Sequence, residues 1–185
     1  MTNSVPMIKM NDGQHIPAIG LGTYSLNGYG GADAIRQGMD TGYRLIDSAF
    51  NYENEGAVGK AVQDSSVPRD QLHICSKLPG RRHSYDQALV TIEESLLRTG
   101  LDYFDLYIIH WPNPKTDKYV EAWQAMIEAR KRGYVRSIGV SNFLPEHLER
   151  IISETGEVPC LNQIELHPYF EQAEQRKFHE KHNIV

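Results

Sequence analysis

An α/β barrel of alternating parallel strands and helices is the fold class this sequence predicts, on three observations. Short apolar runs alternate with helix-like runs six times, with no linker or low-complexity segment between them. The strand-like runs are apolar almost throughout, as strands buried on both faces are. Nearly every one of them ends in a polar residue: Thr23, Asp47, Lys77, His110, Ser141-Asn142 and Gln163. An open doubly wound sheet gathers its ligand at one switch point. A barrel instead places a ring of such residues around one mouth. Gly20-x-Gly22 is followed by Ser25 and lacks the third glycine of a dinucleotide loop. We therefore read residues 1–185 as one incomplete domain: a parallel (β/α)8 TIM barrel with an N-terminal β-hairpin, truncated after about six βα units.

The elements follow in order. Met7 to Met10 and Gln14 to Pro17 flank Asn11-Asp12-Gly13, and Asp-Gly between short extended runs marks a hairpin. Ala18 to Leu21 reads as a short buried strand, and Asn27 to Gly31 as a glycine-rich loop before a helix over 32–39. Strand and helix then alternate: 45–47 and 55–63, then 72–77 and 85–98, the latter capped by Ser84 and closed by Gly100. Next come 104–110 and 119–132, closed by Gly133, and 135–140 and 145–153, with Pro145 at the helix start. Last are 161–165 and 172–181, and Asn183-Ile184-Val185 reads as the opening of a seventh strand.

Composition narrows the function. Net charge is −5, and the basic runs Arg81-Arg82 and Arg130-Lys131-Arg132 are short. Nucleic acid and anionic membrane both demand larger clusters of Lys and Arg, so neither is an expected partner. No apolar stretch approaches the ~20 residues of a membrane span. Met1 to Asn11 has no apolar core of the kind a signal peptide needs. Cys75 and Cys160 are the only cysteines, which fits a reducing, cytoplasmic setting without excluding a bridge between them.

Several residues could carry chemistry. Lys77 closes an apolar strand, where a lysine either snorkels outward or needs a partner. Asp47 ends the preceding strand and can provide that partner. Tyr52 follows in the loop after Asp47. His110 ends an apolar run and precedes Trp111, a large apolar wall for a pocket. Ser141 and Asn142 either cap the helix at Pro145 or bind a ligand. Gln163 has no capping role. His179 and His182 lie three apart but lack an acidic or cysteine partner set, so no metal is expected. There is no nucleophile elbow and no Walker-type phosphate loop. A glycosidase pair of Asp47 with Glu165 fails because Lys77 would keep Asp47 ionised.

The stretch Gly42-Tyr43-Arg44-Leu45-Ile46-Asp47-Ser48-Ala49, with Glu55 and Gly59, resembles a signature of the aldo-keto reductases. Arg136-Ser137-Ile138-Gly139-Val140-Ser141-Asn142-Phe143 resembles a second, and Asn162 to Pro168 is also similar to the family. The resemblance runs from Met7 onward. It implies a catalytic tetrad of Asp47, Tyr52, Lys77 and His110. It implies cofactor contacts from Gly22, Thr23, Ser141, Asn142 and Gln163, and substrate contacts from Tyr24 and Trp111. The cofactor implied is NADPH. The implied substrate is a small aldehyde, ketone or keto-sugar, since the run Lys77-Leu78-Pro79-Gly80 is similar to bacterial members acting on diketogluconate. The family is usually monomeric. Its third signature, which grips the adenosine 2′-phosphate, is absent here, and so is the aromatic residue that stacks on the nicotinamide. A different class remains open: a catalytically silent fragment, self-associating or binding a partner through an open sheet edge.

Overall fold

A computed structural model describes residues 5–185. Residues 1–4, part of the stretch read as lacking a leader, lie outside it. The hairpin pairs β1 (Met7–Lys9) with β2 (His15–Pro17), antiparallel, with Lys9 opposite His15. Six parallel strands follow: β3 (Gly20–Gly22), β4 (Leu45–Asp47), β5 (His73–Leu78), β6 (Phe104–Ile109), β7 (Val135–Ser141) and β8 (Asn162–Gln163). Each is hydrogen-bonded to the next, in the order β3-β4-β5-β6-β7-β8. A doubly wound sheet reverses its strand order partway. This sheet never does, so it forms six consecutive strands of a barrel wall.

Helices α1 (Gly28–Asp40), α2 (Glu55–Asp64), α3 (Tyr85–Thr99), α4 (Tyr119–Lys131), α5 (Pro145–Thr155) and α6 (Ala173–His182) follow the six strands in turn. The period-two alternation of a strand sorts its side chains between two cores. Ile46, Ile74, Leu78, Tyr107, Ile109, Ile138 and Val140 pack outward against helix residues such as Ile35, Val58, Ile92 and Trp123. Cys75, Leu106, Ile108 and Leu161 point inward, where Met10 and Ile16 of the hairpin join them. The hairpin therefore plugs the end of the wall opposite the strand C-termini. Both cysteines are buried and free.

Five expectations need correction. Gly28–Gly31 is the first turn of α1, not loop. A Cβ on Gly31 would stand 2.2 Å from the Leu26 carbonyl carbon, so glycine there serves close packing. The first strand is not buried: it is an edge, with Ile19 and Gly20 exposed. The strand expected over 161–165 keeps only Asn162–Gln163. Its neighbour β7 ends at Ser141, and Asn142 turns left-handed (φ 61°), which leaves Ile164 and Glu165 without a ladder. Ser84 stands at the start of α3, yet its side chain makes no capping bond. At the far edge, the Val185 N–H donates to the Cys160 carbonyl (3.2 Å) and the Asn162 N–H to the Val185 carbonyl (2.9 Å). These bonds tie Val185 to the β8 edge, while residues 183–185, read as a strand opening, themselves form no strand.

Candidate active site

Alternation along β4 and β5 turns Asp47 and Lys77 inward, while Ile46, Ser76 and Leu78 face the helices. The Lys77 side chain is 1% exposed. Snorkelling is excluded. Its Nζ donates to both Asp47 carboxylate oxygens, at 2.7 and 2.8 Å, and to the Ser48 carbonyl at 2.7 Å. All three ammonium hydrogens therefore have acceptors. Burial opposes the charge on Lys77, but Asp47, with smaller help from Cys75 and Tyr52, holds the lysine above its ordinary range.

Tyr52 closes a 3-10 turn, Phe50–Tyr52, directly after β4. Lys77 Nζ lies 5.0 Å from the centre of its ring. Edge-to-face contacts join that ring to His110 (5.8 Å) and to Tyr24 (5.2 Å). Trp111 stacks loosely on His110, is half exposed, and forms one wall of the mouth beside exposed Tyr24. Burial, aided by the Lys77 charge, pushes His110 down to about 4, so its ring is neutral near pH 7. His110 Nδ1 is buried and makes no hydrogen bond among the described residues.

The residues tied by resemblance to a cofactor divide into two groups. Asn142 Nδ2 donates to the His110 carbonyl (3.1 Å) and to Ser141 Oγ (3.0 Å), and Ser141 Oγ donates to the Gln163 carbonyl (2.9 Å). Leu144, not Ser141 or Asn142, stands at the start of α5, which removes the capping explanation. Gln163 Nε2 reaches Asp47 Oδ2 at 3.4 Å, from the sixth parallel strand to the second. That contact requires the wall to curl and brings Gln163 to the same mouth. Gly22 lies opposite Asp47 in the β3–β4 register. Thr23 is different: its side chain is fully buried and its hydroxyl donates to the Asp47 carbonyl (3.1 Å).

Some supporting residues were given no site role from sequence, Glu55 entering only as part of a signature. Glu55, at the start of α2, is buried, accepts from Ser76 Oγ (2.5 Å) and pairs with Arg98 (2.7 Å). The Arg98 guanidinium lies 4.1 Å from the Phe50 ring, so the pair braces the Tyr52 turn from behind. A buried polar cluster braces the other side. Gln175 Nε2 and Asn162 Nδ2 both donate to the Phe143 carbonyl, and His179 contacts both amides at 2.9 Å. In sequence, His179 is weighed only with His182 as a metal pair, and Gln175 is simply part of the helix over 172–181. Among the described residues, no three or more His, Cys, Asp or Glu side chains gather to hold a metal ion. Among the described residues, no helix is long and apolar enough to cross a membrane.

A buried Asp–Lys pair, a phenol and a neutral imidazole stand together at the C-terminal mouth of a barrel wall. The model of the aldo/keto reductase family matches residues 18–185. The chain is 52% identical over 181 residues to 2,5-diketo-D-gluconic acid reductase B of a Corynebacterium species, covering 98% of this chain and 65% of that protein. An aldo/keto reductase from Brucella melitensis superposes with a TM-score of 0.95 at 45% identity, over 98% of this chain and 71% of that one. A Bombyx mori aldo-keto reductase solved in complex with NADP superposes with a TM-score of 0.90 at 35% identity, over 98% and 65%. The chain belongs to the aldo/keto reductase family. It spans about 65% of the length of the curated relatives it matches.

Proposed function

We propose that this chain forms the proton-donating wall of an NADPH-dependent carbonyl reductase, reducing a small aldehyde, ketone or keto-sugar to its alcohol. One observation carries the reading: a fully buried ammonium, saturated by Asp47 and Ser48, set beside the Tyr52 ring. Its relatives include the diketogluconate reductase and the NADP-bound structure already described.

The residues present fit a nicotinamide carboxamide. Asn142 Oδ1 and Gln163 Oε1 accept no hydrogen bond from the described residues, and both amides border the mouth. They can accept the N–H groups of such a carboxamide, while Ser141 fixes the Asn142 amide. NADPH, when bound, supplies the hydride. Tyr52 donates its O–H proton to the carbonyl oxygen as negative charge develops there. Lys77 stabilises the phenolate left behind, and Asp47 holds Lys77 in place. The neutral His110 ring can donate one N–H to the carbonyl oxygen, orienting it without bringing a second cation beside Lys77. One hydride and one proton are added across the C=O bond, and solvent reprotonates Tyr52.

The test is Tyr52→Phe in the full-length protein. Turnover should fall by at least ~10²–10⁴-fold, the range expected for a lost general acid, while NADPH still binds by fluorescence titration. Weakened binding with undiminished chemistry in the bound fraction would remove Tyr52 from this role.

A further inference from the structure

Resting on that reading, we infer that Asn54 is a positioning residue: with Asn27 it clamps the loop carrying Tyr24 to the turn carrying Tyr52, and so sets the phenol against Lys77. Both asparagines directly precede a helix, where Asn ordinarily caps free backbone N–H groups. Neither makes a side-chain cap. Both reach sideways instead. Asn54 is buried, and its carboxamide donates to the carbonyls of Thr23 (2.5 Å) and Leu26 (3.2 Å) in the loop after β3. Its Oδ1 accepts from Ser48 Oγ (2.8 Å), and the Ser48 carbonyl is an acceptor for Lys77 Nζ. Asn27, exposed in the loop after β3, returns the contact by donating to the carbonyls of Tyr52 (3.0 Å) and Glu53 (3.3 Å).

The two loops are thus cross-bonded in both directions, with Tyr52 inside the ring of contacts. Glu53, just after Tyr52, is held left-handed (φ 55°), a conformation a non-glycine residue adopts at a cost. Cross-bonding of this kind holds the turn in that shape. A helix cap would stabilise α2 alone. A clamp spanning β3 and β4 instead fixes where the Tyr52 ring lies relative to an ammonium that cannot move. The Asn54 side chain makes no hydrogen bond to Tyr52 or to any atom proposed to react, so its effect passes through the loops it joins.

The test is ¹⁹F NMR of the full-length protein labelled with fluorotyrosine, alongside kinetics. The Tyr52 signal is assigned by its loss in Tyr52→Phe. In Asn54→Ala the Tyr52 and Tyr24 signals should move, while those of Tyr107 and Tyr134 stay. kcat should fall about 10²-fold, the cost of misplacing a group by roughly an ångström, with KM little changed. Asn27→Ala removes only an exposed side chain and should shift the Tyr52 signal less. Asn54→Asp keeps the Ser48 contact but sets an oxygen against the Thr23 and Leu26 carbonyls. Only its protonated form can donate there, so its kcat relative to wild type should recover as pH falls. An unmoved Tyr52 signal in folded Asn54→Ala overturns the clamp, and so does a common shift of all the tyrosine signals. If the wild type does not reduce carbonyls with NADPH, the functional reading falls, and the ¹⁹F signals still decide the clamp.

Discussion

The two sides of the mouth are built to different standards. On the side of β4, β5 and β6, the buried charges are satisfied within the protein. Lys77 has three acceptors, and Glu55 is paired behind the sheet. β5 and β6 are six residues long and buried throughout most of their length. On the side of β8, the strand is two residues long, and Gln163 is exposed. Its bond to Asp47 is long at 3.4 Å. Leu166, Tyr169 and Phe170 stand exposed in the loop beyond it. A concavity of about 960 Å³ runs along this edge between β8 and α6, lined by Leu161, Gln163, Ile164 and Ala173 among others. Asp47 and Lys77 are therefore held in place by the protein's own groups. The amides proposed to hold a ligand keep their oxygens without a donor among the described residues, and Gln163 Nε2 has only its one long bond.

The largest effect should come from breaking the fixed side. Asp47→Asn leaves the Lys77 ammonium buried with no opposite charge. Removing one partner of a buried pair costs about 3–5 kcal/mol, and urea unfolding should show a loss of that size. Asp47→Leu with Lys77→Met should recover most of it, because no lone charge remains. A cost under ~1 kcal/mol for Asp47→Asn would mean this side is no more rigid than the other. The pH dependence has a definite sign. The folded-state pKa of Lys77 lies above its ordinary value. Its contribution is therefore complete below the unfolded lysine pKa, about 10.4, and is lost as pH rises through the folded value. The stability gap between wild type and Lys77→Met should be flat near neutrality and shrink in strong alkali.

A smaller effect sharpens the same contrast at acid pH. His83, in the loop after β5, is buried with neither ring nitrogen bonded among the described residues, and burial pushes it down to about 4. His110 is depressed to a similar value, first by burial and then by Lys77. In each case the unfolded chain takes up a proton near pH 6.5 and the folded chain resists until about 4. Stability should fall as pH drops through that window. His83→Leu should remove a share on the order of 2–3 kcal/mol of the acid loss. The readout is urea unfolding at pH 7 and pH 4.5 for both proteins. An unchanged acid loss would show that His83 finds a partner when charged.

Much of this contrast was legible in the sequence, for a physical reason. Period two in a strand puts Asp47 and Lys77 on the face opposite Ile46 and Leu78, so strand-end polarity marks the mouth directly. Whether Lys77 pairs or snorkels was not legible, because that depends on the register of β4 against β5. The start of α1 was hidden because Gly28 to Gly31 read as loop by propensity, while close approach to Leu26 is what requires glycine. Asn27 and Asn54 sit in capping positions, and only the packing of one loop on another diverts them. The shortness of β8 was likewise invisible, since Leu161 to Glu165 has the composition of a longer strand and the limit is set by where β7 ends.

The smallest stability effect belongs to Gln163→Ala, and there the two sides should separate most cleanly. The side chain is exposed and makes one long hydrogen bond, so unfolding free energy should stay within ~0.5 kcal/mol of wild type. NADPH affinity should fall about tenfold, corresponding to one neutral hydrogen bond of roughly 1–1.5 kcal/mol. Fluorescence titration of the full-length protein reads the affinity, and urea unfolding reads the stability. A stability loss comparable to that of Asp47→Asn would make Gln163 part of the fixed scaffold. Unchanged affinity at unchanged stability would remove it from the cofactor site and leave Asn142 as the amide that must carry that contact.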